Sequence, residues 1–138
     1  MMKMGKVKKF SVSFSQELFK DFEVVSKELG IKNRSRALQS AANLFIAMNR
    51  WQFTSGNVAG VILLLYDHEE SGLEETLTDV QHDHMDIIVS ALHIHVTRKE
   101  CLLVIAVRGE ARKIKMLYEK IANLRGIKQL QYSITPFT

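Results

Sequence analysis

The stretch Lys9-Phe10-Ser11-Val12-Ser13-Phe14 alternates strictly between polar and apolar residues. This period of two predicts a β-strand with one apolar face and one polar face. Ser15 follows at the position of a helix N-cap, and Gly30 stands where that helix should end. A second helix is predicted to begin at residues 33–35. The residues expected on the inward faces of the two helices are Leu18, Phe22, Val25, Leu29, Leu38, Ala41 or Ala42, Phe45 and Met48.

This strand–helix–helix segment cannot be stable alone. A single strand has two unpaired edges, and about 45 residues bury too little surface without a partner. We expect a homodimer in which two copies of the strand pair antiparallel. Phe10, Val12 and Phe14 would then face the shared helical core.

The polar face of the strand is suited to DNA. Lys9, Ser11 and Ser13 would lie on the outer face of a two-stranded ribbon, which fits the major groove and can reach base edges. Arg34 and Ser35 begin the second helix, where main-chain N–H groups and a guanidinium can bind a phosphate. The segment resembles the ribbon-helix-helix DNA-binding fold. The alternative is that the strand only dimerises and its polar face is solvated.

The charge distribution favours a polyanionic partner for the N-terminal part. Residues 1–50 contain ten Lys or Arg and four Asp or Glu, whereas the remaining residues contain nine and eleven. An arm with Lys3, Lys6 and Lys8 precedes the strand. A basic segment joined to a slightly acidic body indicates nucleic acid binding, although a solvated lysine-rich end would give the same balance.

Several protein classes are excluded or disfavoured. A chain of 138 residues with a single Cys has no intrachain disulfide framework. The longest apolar run, residues 61–65, is too short for a membrane span, and no signal peptide is evident. We therefore expect a cytoplasmic protein without a membrane partner. No nucleophile–base pair, phosphate loop or paired carboxylate motif stands out, so we expect no enzyme.

The second half predicts a different fold. Residues 51–57 contain Gly and Ser and are interpreted as a linker between a domain of residues 1–50 and one of residues 58–138. The order βαββαβ that follows is ferredoxin-like, as in ACT domains, so the whole chain is predicted to be α+β. The predicted elements are strand Val58–Tyr66, helix Leu73–His82, strands Ile87–Val96 and Cys101–Arg108, helix Glu110–Leu124 and strand Ile127–Ile134.

A metal site is predicted on one hairpin. His93 and His95 are two residues apart on a strand and so project on one face. The turn Val96–Glu100 would place Cys101 opposite His95 on that face. Two imidazoles and a thiolate are ligands for a first-row transition metal, and His82 is a candidate fourth ligand. The alternative is a half-buried strand with incidental histidines.

With these residues the chain resembles the nickel-responsive repressor family (NikR) over nearly its whole length. The resemblance rests on the His82, His93, His95, Cys101 spacing together with Asn33-Arg34-Ser35, Gly60, Tyr66-Asp67-His68 and Arg108-Gly109. It implies one Ni(II) per subunit, held square-planar by His93, His95, Cys101 and His82 of a neighbouring subunit. It also implies a homotetramer, a dimer of dimers, that binds a double-stranded DNA operator and represses nickel-uptake or related genes. His68 and His84 are candidate secondary metal ligands.

Several positions depart from the family pattern. Arg36, Ser40 and Leu103 stand where the family is usually acidic. Two other functions therefore stay open. One is a ribbon-helix-helix regulator whose ACT-like domain responds to a small molecule or to a different transition metal. The other is a metal-buffering protein with a vestigial ribbon.

Overall fold

The computed structural model describes residues 5–137. The chain divides into two compact units, Met1–Asn43 and Leu44–Thr138. Lys3 of the predicted arm lies outside the described residues.

Both predicted helices of the first unit are present. Helix α1 spans Gln16–Glu28, and the hydroxyl of Ser15 accepts a hydrogen bond from the Leu18 N–H at 3.1 Å. Gly30, at φ 77°, follows the helix in the left-handed conformation that glycine adopts without strain. Helix α2 spans Arg34–Asn49, and Asn33 caps it by accepting from the Arg36 N–H. The predicted starts of both helices are therefore confirmed.

The predicted strand over residues 9–14 is not a strand in the single chain; this segment has no regular secondary structure. A strand requires a hydrogen-bonded neighbour, and in residues 5–137 no segment of the same chain pairs with this one. The alternating pattern is therefore present without the pairing that would make it a ribbon.

The apolar faces of the first two helices are not buried within one chain. Among the described residues of α1 and α2, Ala37 alone is buried. Phe22 is half-buried and packs edge-on against Phe14, with ring centroids 5.7 Å apart. The expectation that a homodimer buries this face stays a prediction, since most of the face is exposed in the single chain. The large exposed members of the predicted core are Phe10, Val12, Leu18, Val25, Leu29, Phe45 and Met48.

The segment interpreted as a linker begins inside the second unit. Residues Arg50–Phe53 form a 3-10 helix, and Trp51 is fully buried. Its indole packs edge-on against Tyr132, with ring centroids 5.3 Å apart. Burial of the large apolar surface of an indole is favourable, and it outweighs the loss of conformational entropy that ordering this short segment requires. The two compact units also divide within α2, after Asn43, rather than at residue 51.

The second unit has the predicted order of elements. Its four strands form one antiparallel sheet in the order β2-β3-β1-β4, so β2 and β4 are its edges within residues 5–137. This is the strand order of the ferredoxin-like βαββαβ fold. The elements are β1 Asn57–Asp67, α3 Leu73–His82, β2 Ile88–His95, β3 Glu100–Glu110, α4 Ala111–Ala122 and β4 Ile127–Pro136.

The core lies between the sheet and the two helices α3 and α4. Alternate residues of β1 and β3 point into it, as the period of a half-buried strand requires. Glycine is required at position 60, because a Cβ there would collide with the carbonyl oxygen of Ser133 on β4. The core residues from the helices are Leu73, Leu77, Val80, Ala111, Ile114, Leu117 and Ile121.

In the part of the chain that the structure describes, no helix is both long enough and apolar enough to cross a membrane.

Candidate metal centre

The β2–β3 hairpin brings the three predicted ligands to one face of the sheet. His95 is the direct partner of Cys101, and His93 is the partner of Leu103 one step along. The turn is closed by the Val96 N–H, which donates to the Glu100 carbonyl oxygen at 2.9 Å. The register predicted from the turn length is therefore confirmed.

The ligand atoms of His93, His95 and Cys101 all lie within 4.8 Å of one another. The two imidazole rings are 4.9 Å apart between centroids, and Cys101 Sγ is 3.4 Å from His95 Nδ1. Cys101 is buried, whereas both histidines are exposed. Two nitrogen donors and one sulfur donor at this spacing fit a first-row transition metal.

A polar network adjoins this cluster. The Tyr66 hydroxyl donates to Glu74 Oε1 at 3.1 Å and lies 2.9 Å from His93 Nε2. His68 Nδ1 is 2.8 Å from the same carboxylate oxygen. His68, Glu74 and Cys101 form a second group of possible ligands with atoms within 4.8 Å of one another. Cys101 is therefore shared by two overlapping donor sets.

Burial and charge act on the acidity of these groups. Burial raises the pKa of the Cys101 thiol above its ordinary value, and the negative charge of Glu74 raises it further. The hydrogen bond from His68 lowers the pKa of Glu74. Burial, together with the bond to Glu74, raises the pKa of Tyr66. At neutral pH the cluster therefore contains a thiol, a phenol and a carboxylate.

The structure does not bring His82 or His84 to the cluster. His82 is exposed at the C-terminal end of α3, eight residues after Glu74, which corresponds to about 12 Å along a helix. His84 Nδ1 lies 2.7 Å from the carbonyl oxygen of Val80, to which it donates. Of the two predicted secondary ligands, only His68 lies beside the cluster.

The predicted DNA-contacting residues lie in the first unit. Lys9, Ser11 and Ser13 are exposed, as is Ser35. Arg34 is engaged within the chain, because its Nε donates to Glu23 Oε1 at 2.6 Å. This bond raises the pKa of the Arg34 guanidinium. A phosphate would have to compete with Glu23 for this side chain.

The three positions that the resemblance marks as usually acidic fall in two different environments. Arg36 and Ser40 are exposed on α2, where either can meet a partner. Leu103 is buried beside His93 on the helix-covered face of the sheet. Position 103 therefore supplies no carboxylate to the metal cluster.

Tyr66 and Glu74 were not predicted from the sequence as members of this site. Glu74 belongs to an acidic stretch that is most simply interpreted as a solvated helix start. The pairing of β1 with β3 could have indicated Tyr66 as a member of the site, because Tyr66 is the direct partner of Cys101 and lies on the same face of the sheet. The contact of Glu74 with this site could not be predicted from the sequence, because it depends on how α3 packs on the sheet.

The chain is similar to known proteins over most of its length. The family model described as "NikR C terminal nickel binding domain" matches residues 59–135. A protein of Dictyoglomus thermophilum named as a nickel-responsive regulator is 39% identical over 132 residues, which cover 96% of this chain and 98% of that protein. A protein of Pyrococcus horikoshii with the same name is 39% identical over 120 residues, 87% of each chain. With its hairpin donors and this similarity, the chain belongs to the NikR family of nickel-responsive regulators, which are regulators and not enzymes.

Proposed function

We propose that this chain is a nickel-responsive, DNA-binding transcriptional regulator, a homotetramer whose operator binding responds to Ni(II). The observation that carries the proposal is the His93, His95, Cys101 cluster on the hairpin of a chain that belongs to this family. Repression of nickel-uptake genes and a cytoplasmic location are the corresponding expectations for the cell.

The metal would be held by His93, His95 and Cys101, with His82 of a neighbouring subunit as the fourth ligand. Imidazole nitrogen and thiolate sulfur are donors that bind Ni(II) well. His82 is exposed and lies along α3 away from its own hairpin, so it is free to serve another chain. One ion per subunit follows, because each chain contributes one such set.

An assembly of several chains is supported by the outer face of the sheet. Residues of β2 that alternate with the histidines lie opposite the helices and pair with apolar residues of β3. Leu92 is 58% exposed and pairs with Val104, and Ile94 is 39% exposed and pairs with Leu102. An apolar sheet face of this kind is expected to pack against another chain.

Dimerisation of the first unit is supported by its unburied apolar residues. A groove of about 350 Å³ lies among Val12, Phe14, Phe19, Phe22 and Leu38. A second copy of residues 9–14 would supply both the missing strand partner and the cover for this groove. The exposed Lys9, Ser11 and Ser13 would then form the face that binds DNA.

The test is a titration of the purified protein with Ni(II), followed by absorption spectroscopy and repeated with operator-length DNA. We expect one Ni(II) per chain, a thiolate-to-nickel charge-transfer band and tighter DNA binding when the metal is present. Cys101→Ala should abolish the band, whereas His84→Ala should retain it because His84 lies outside the cluster. If Cys101→Ala still bound Ni(II) tightly and with an unchanged absorption spectrum, the assignment of Cys101 as a ligand would be wrong.

A further inference from the structure

Glu23 on α1 holds the guanidinium of the first residue of α2. Arg34 Nε donates to Glu23 Oε1 at 2.6 Å, and the Arg34 guanidinium lies over the Phe19 ring, 4.9 Å from its centroid. The two bonded residues are 11 apart in the sequence, so this is a contact between two helices. The positive charge at the start of α2 is therefore partly neutralised within the chain.

This ion pair is open to solvent on both sides. The side chain of Arg34 is 67% exposed and that of Glu23 is 38% exposed. Exposed pairs of this kind are weak, because water and salt screen them. A guanidinium has five N–H donors, and the bond to Glu23 uses one of them. An anion can therefore reach Arg34 from solvent and compete with the carboxylate.

The surroundings of the pair are basic. A groove at the turn that joins α1 to α2 is lined by Lys27, Lys32 and Arg34, and Glu23 is the one acid among its lining residues. Cations concentrated in this way attract a polyanion, and the carboxylate opposes that attraction. Glu23 thus offsets one of the three cationic side chains of the groove.

The start of α2 is also where the sequence predicts a phosphate contact. Ser35 and Arg36 are exposed there, directly after Arg34. Contacts to phosphate fix a protein on the duplex but carry no base information. A carboxylate that competes with phosphate for Arg34 would therefore weaken binding to every DNA sequence alike.

We propose that Glu23 is an internal competitor for DNA phosphate, which pairs with Arg34 and so lowers the affinity for DNA of any sequence. The proposal rests on the proposed function, since it assumes that the start of α2 meets the DNA backbone. It gives α1 control over the electrostatic part of DNA binding.

The first test compares Glu23→Gln with the unchanged full-length protein, both loaded with Ni(II), on two duplexes of equal length and unrelated sequence. Glutamine keeps an oxygen that can accept from Arg34 Nε but carries no charge, so the guanidinium is no longer neutralised. Affinity should rise equally on both duplexes. The slope of log affinity against log salt should steepen by about 0.9 for each Arg34 that gains a phosphate, which corresponds to a factor of about 3.5 between 50 and 200 mM salt.

The matched control is Glu28→Gln. Glu28 is an exposed acid of the same helix, and it belongs neither to this ion pair nor to the lining of the groove. Its replacement measures the general effect of removing one negative charge from α1. Affinity and slope should change less in Glu28→Gln than in Glu23→Gln.

The second test removes the cation for which Glu23 competes. In an Arg34→Ala background, Glu23→Gln should change affinity and slope no more than Glu28→Gln does, because the coupling between the two residues has been lost. Circular dichroism of each variant checks that both helices are retained. If Arg34→Ala loses them, Arg34→Gln takes its place.

The outcomes separate this proposal from the proposed function. Elution from heparin, a polyanion without base sequence, is measured beside DNA binding. If Glu23→Gln elutes at higher salt than Glu28→Gln while the unchanged Ni(II)-loaded protein binds no DNA, the proposed function is refuted and the competition for anions at Arg34 is retained. If neither heparin elution nor DNA binding shows the expected effect, both are refuted.

Other results would overturn the role of Glu23 alone. One is DNA binding by the unchanged protein with the same affinity and slope in Glu23→Gln and Glu28→Gln. Another is weaker DNA binding by Glu23→Gln, and a third is an undiminished gain in the Arg34→Ala background.

Discussion

Cys101 is a core residue and a candidate ligand at the same time. It is fully buried in the sheet, yet its sulfur faces His95 at 3.4 Å. Burial keeps water away from the sulfur and favours the neutral thiol, because a thiolate in apolar surroundings lacks solvation. A bound cation supplies the charge that would compensate the thiolate. The residue is therefore expected to release its proton when the metal binds.

Nickel binding should become tighter as the pH rises. The pKa of Cys101 is raised, so the thiol is protonated at neutral pH and one proton must leave for each ion bound. The apparent affinity should increase about tenfold per pH unit from this proton and should continue to rise until the raised pKa is reached. Calorimetry in buffers of different ionisation enthalpy would count the protons. Release of no proton would contradict thiolate ligation by Cys101.

At the scale of elements, the short 3-10 helix Arg50–Phe53 has two aromatic residues with opposite environments. Trp51 is fully buried, whereas Phe53 is 89% exposed. The side chains of Asn49 and Gln52 both hydrogen-bond to the Tyr132 hydroxyl on β4. Within the second unit, aromatic packing and side-chain hydrogen bonds thus hold residues 49–52 against β4.

Replacement of Trp51 should destabilise the second unit strongly. Trp51→Ala removes a buried aromatic side chain, which typically costs about 3–5 kcal/mol. Phe53→Ala is the matched control, and its cost should stay within about 0.5 kcal/mol because the ring is exposed. Denaturant unfolding of both variants measures the difference. Equal stabilities would show that residue 51 acts as a linker after all.

The predicted strand of residues 9–14 differs from the helices in what its formation requires. Residues 9–14 have the composition of a strand, but β-structure is a relation between two segments and not a property of one. The adjacent helices, in contrast, form within the single chain because their hydrogen bonds are local. This difference explains why the helix starts were predicted correctly from local residues, whereas residues 9–14 have no paired segment within residues 5–137 of one chain.

At the scale of the whole molecule, the placement of His82 predicts complementation between damaged chains. His82→Ala and Cys101→Ala chains alone should each lack the charge-transfer band. Mixed tetramers should regain part of it, because some sites would combine an intact hairpin with an intact His82 of another subunit. The measurement is absorption after co-refolding, with each variant refolded alone as the control. Mixed tetramers that never recover a site would contradict ligand sharing.

DNA binding should separate into a general and a selective contribution. Deletion of residues 1–7 should weaken binding to operator and scrambled DNA alike and reduce the slope of log affinity against log salt, by about 0.9 for each phosphate that the arm neutralises. Ser11→Ala or Ser13→Ala should mainly reduce the preference for operator, since the exposed hydroxyls can reach base edges. Anisotropy titrations over a range of salt concentrations test both. An unchanged slope after deletion would exclude the arm, and equal weakening on both DNAs would exclude the serines as readers.

The sequence by itself determined most of the local structure. Capping at Ser15, the start of α2 near Asn33 and the bounds of α3 were predicted correctly, because they depend on neighbouring residues. The hairpin register that sets Cys101 against His95 was also predicted, since a turn of known length fixes which residues face each other. The order of the six elements then led to the observed strand order.

Only the tertiary structure decided which distant residues meet. Trp51 lies in the core because β4 and α4 come together beneath it, and no local pattern encodes that proximity. Glu74 reaches Tyr66 and the edge of the metal cluster because α3 packs across the sheet with its first turn above β1. Helix caps and hairpin register depend on residues that are close in the sequence. These contacts, in contrast, arise from the packing of whole elements on one another.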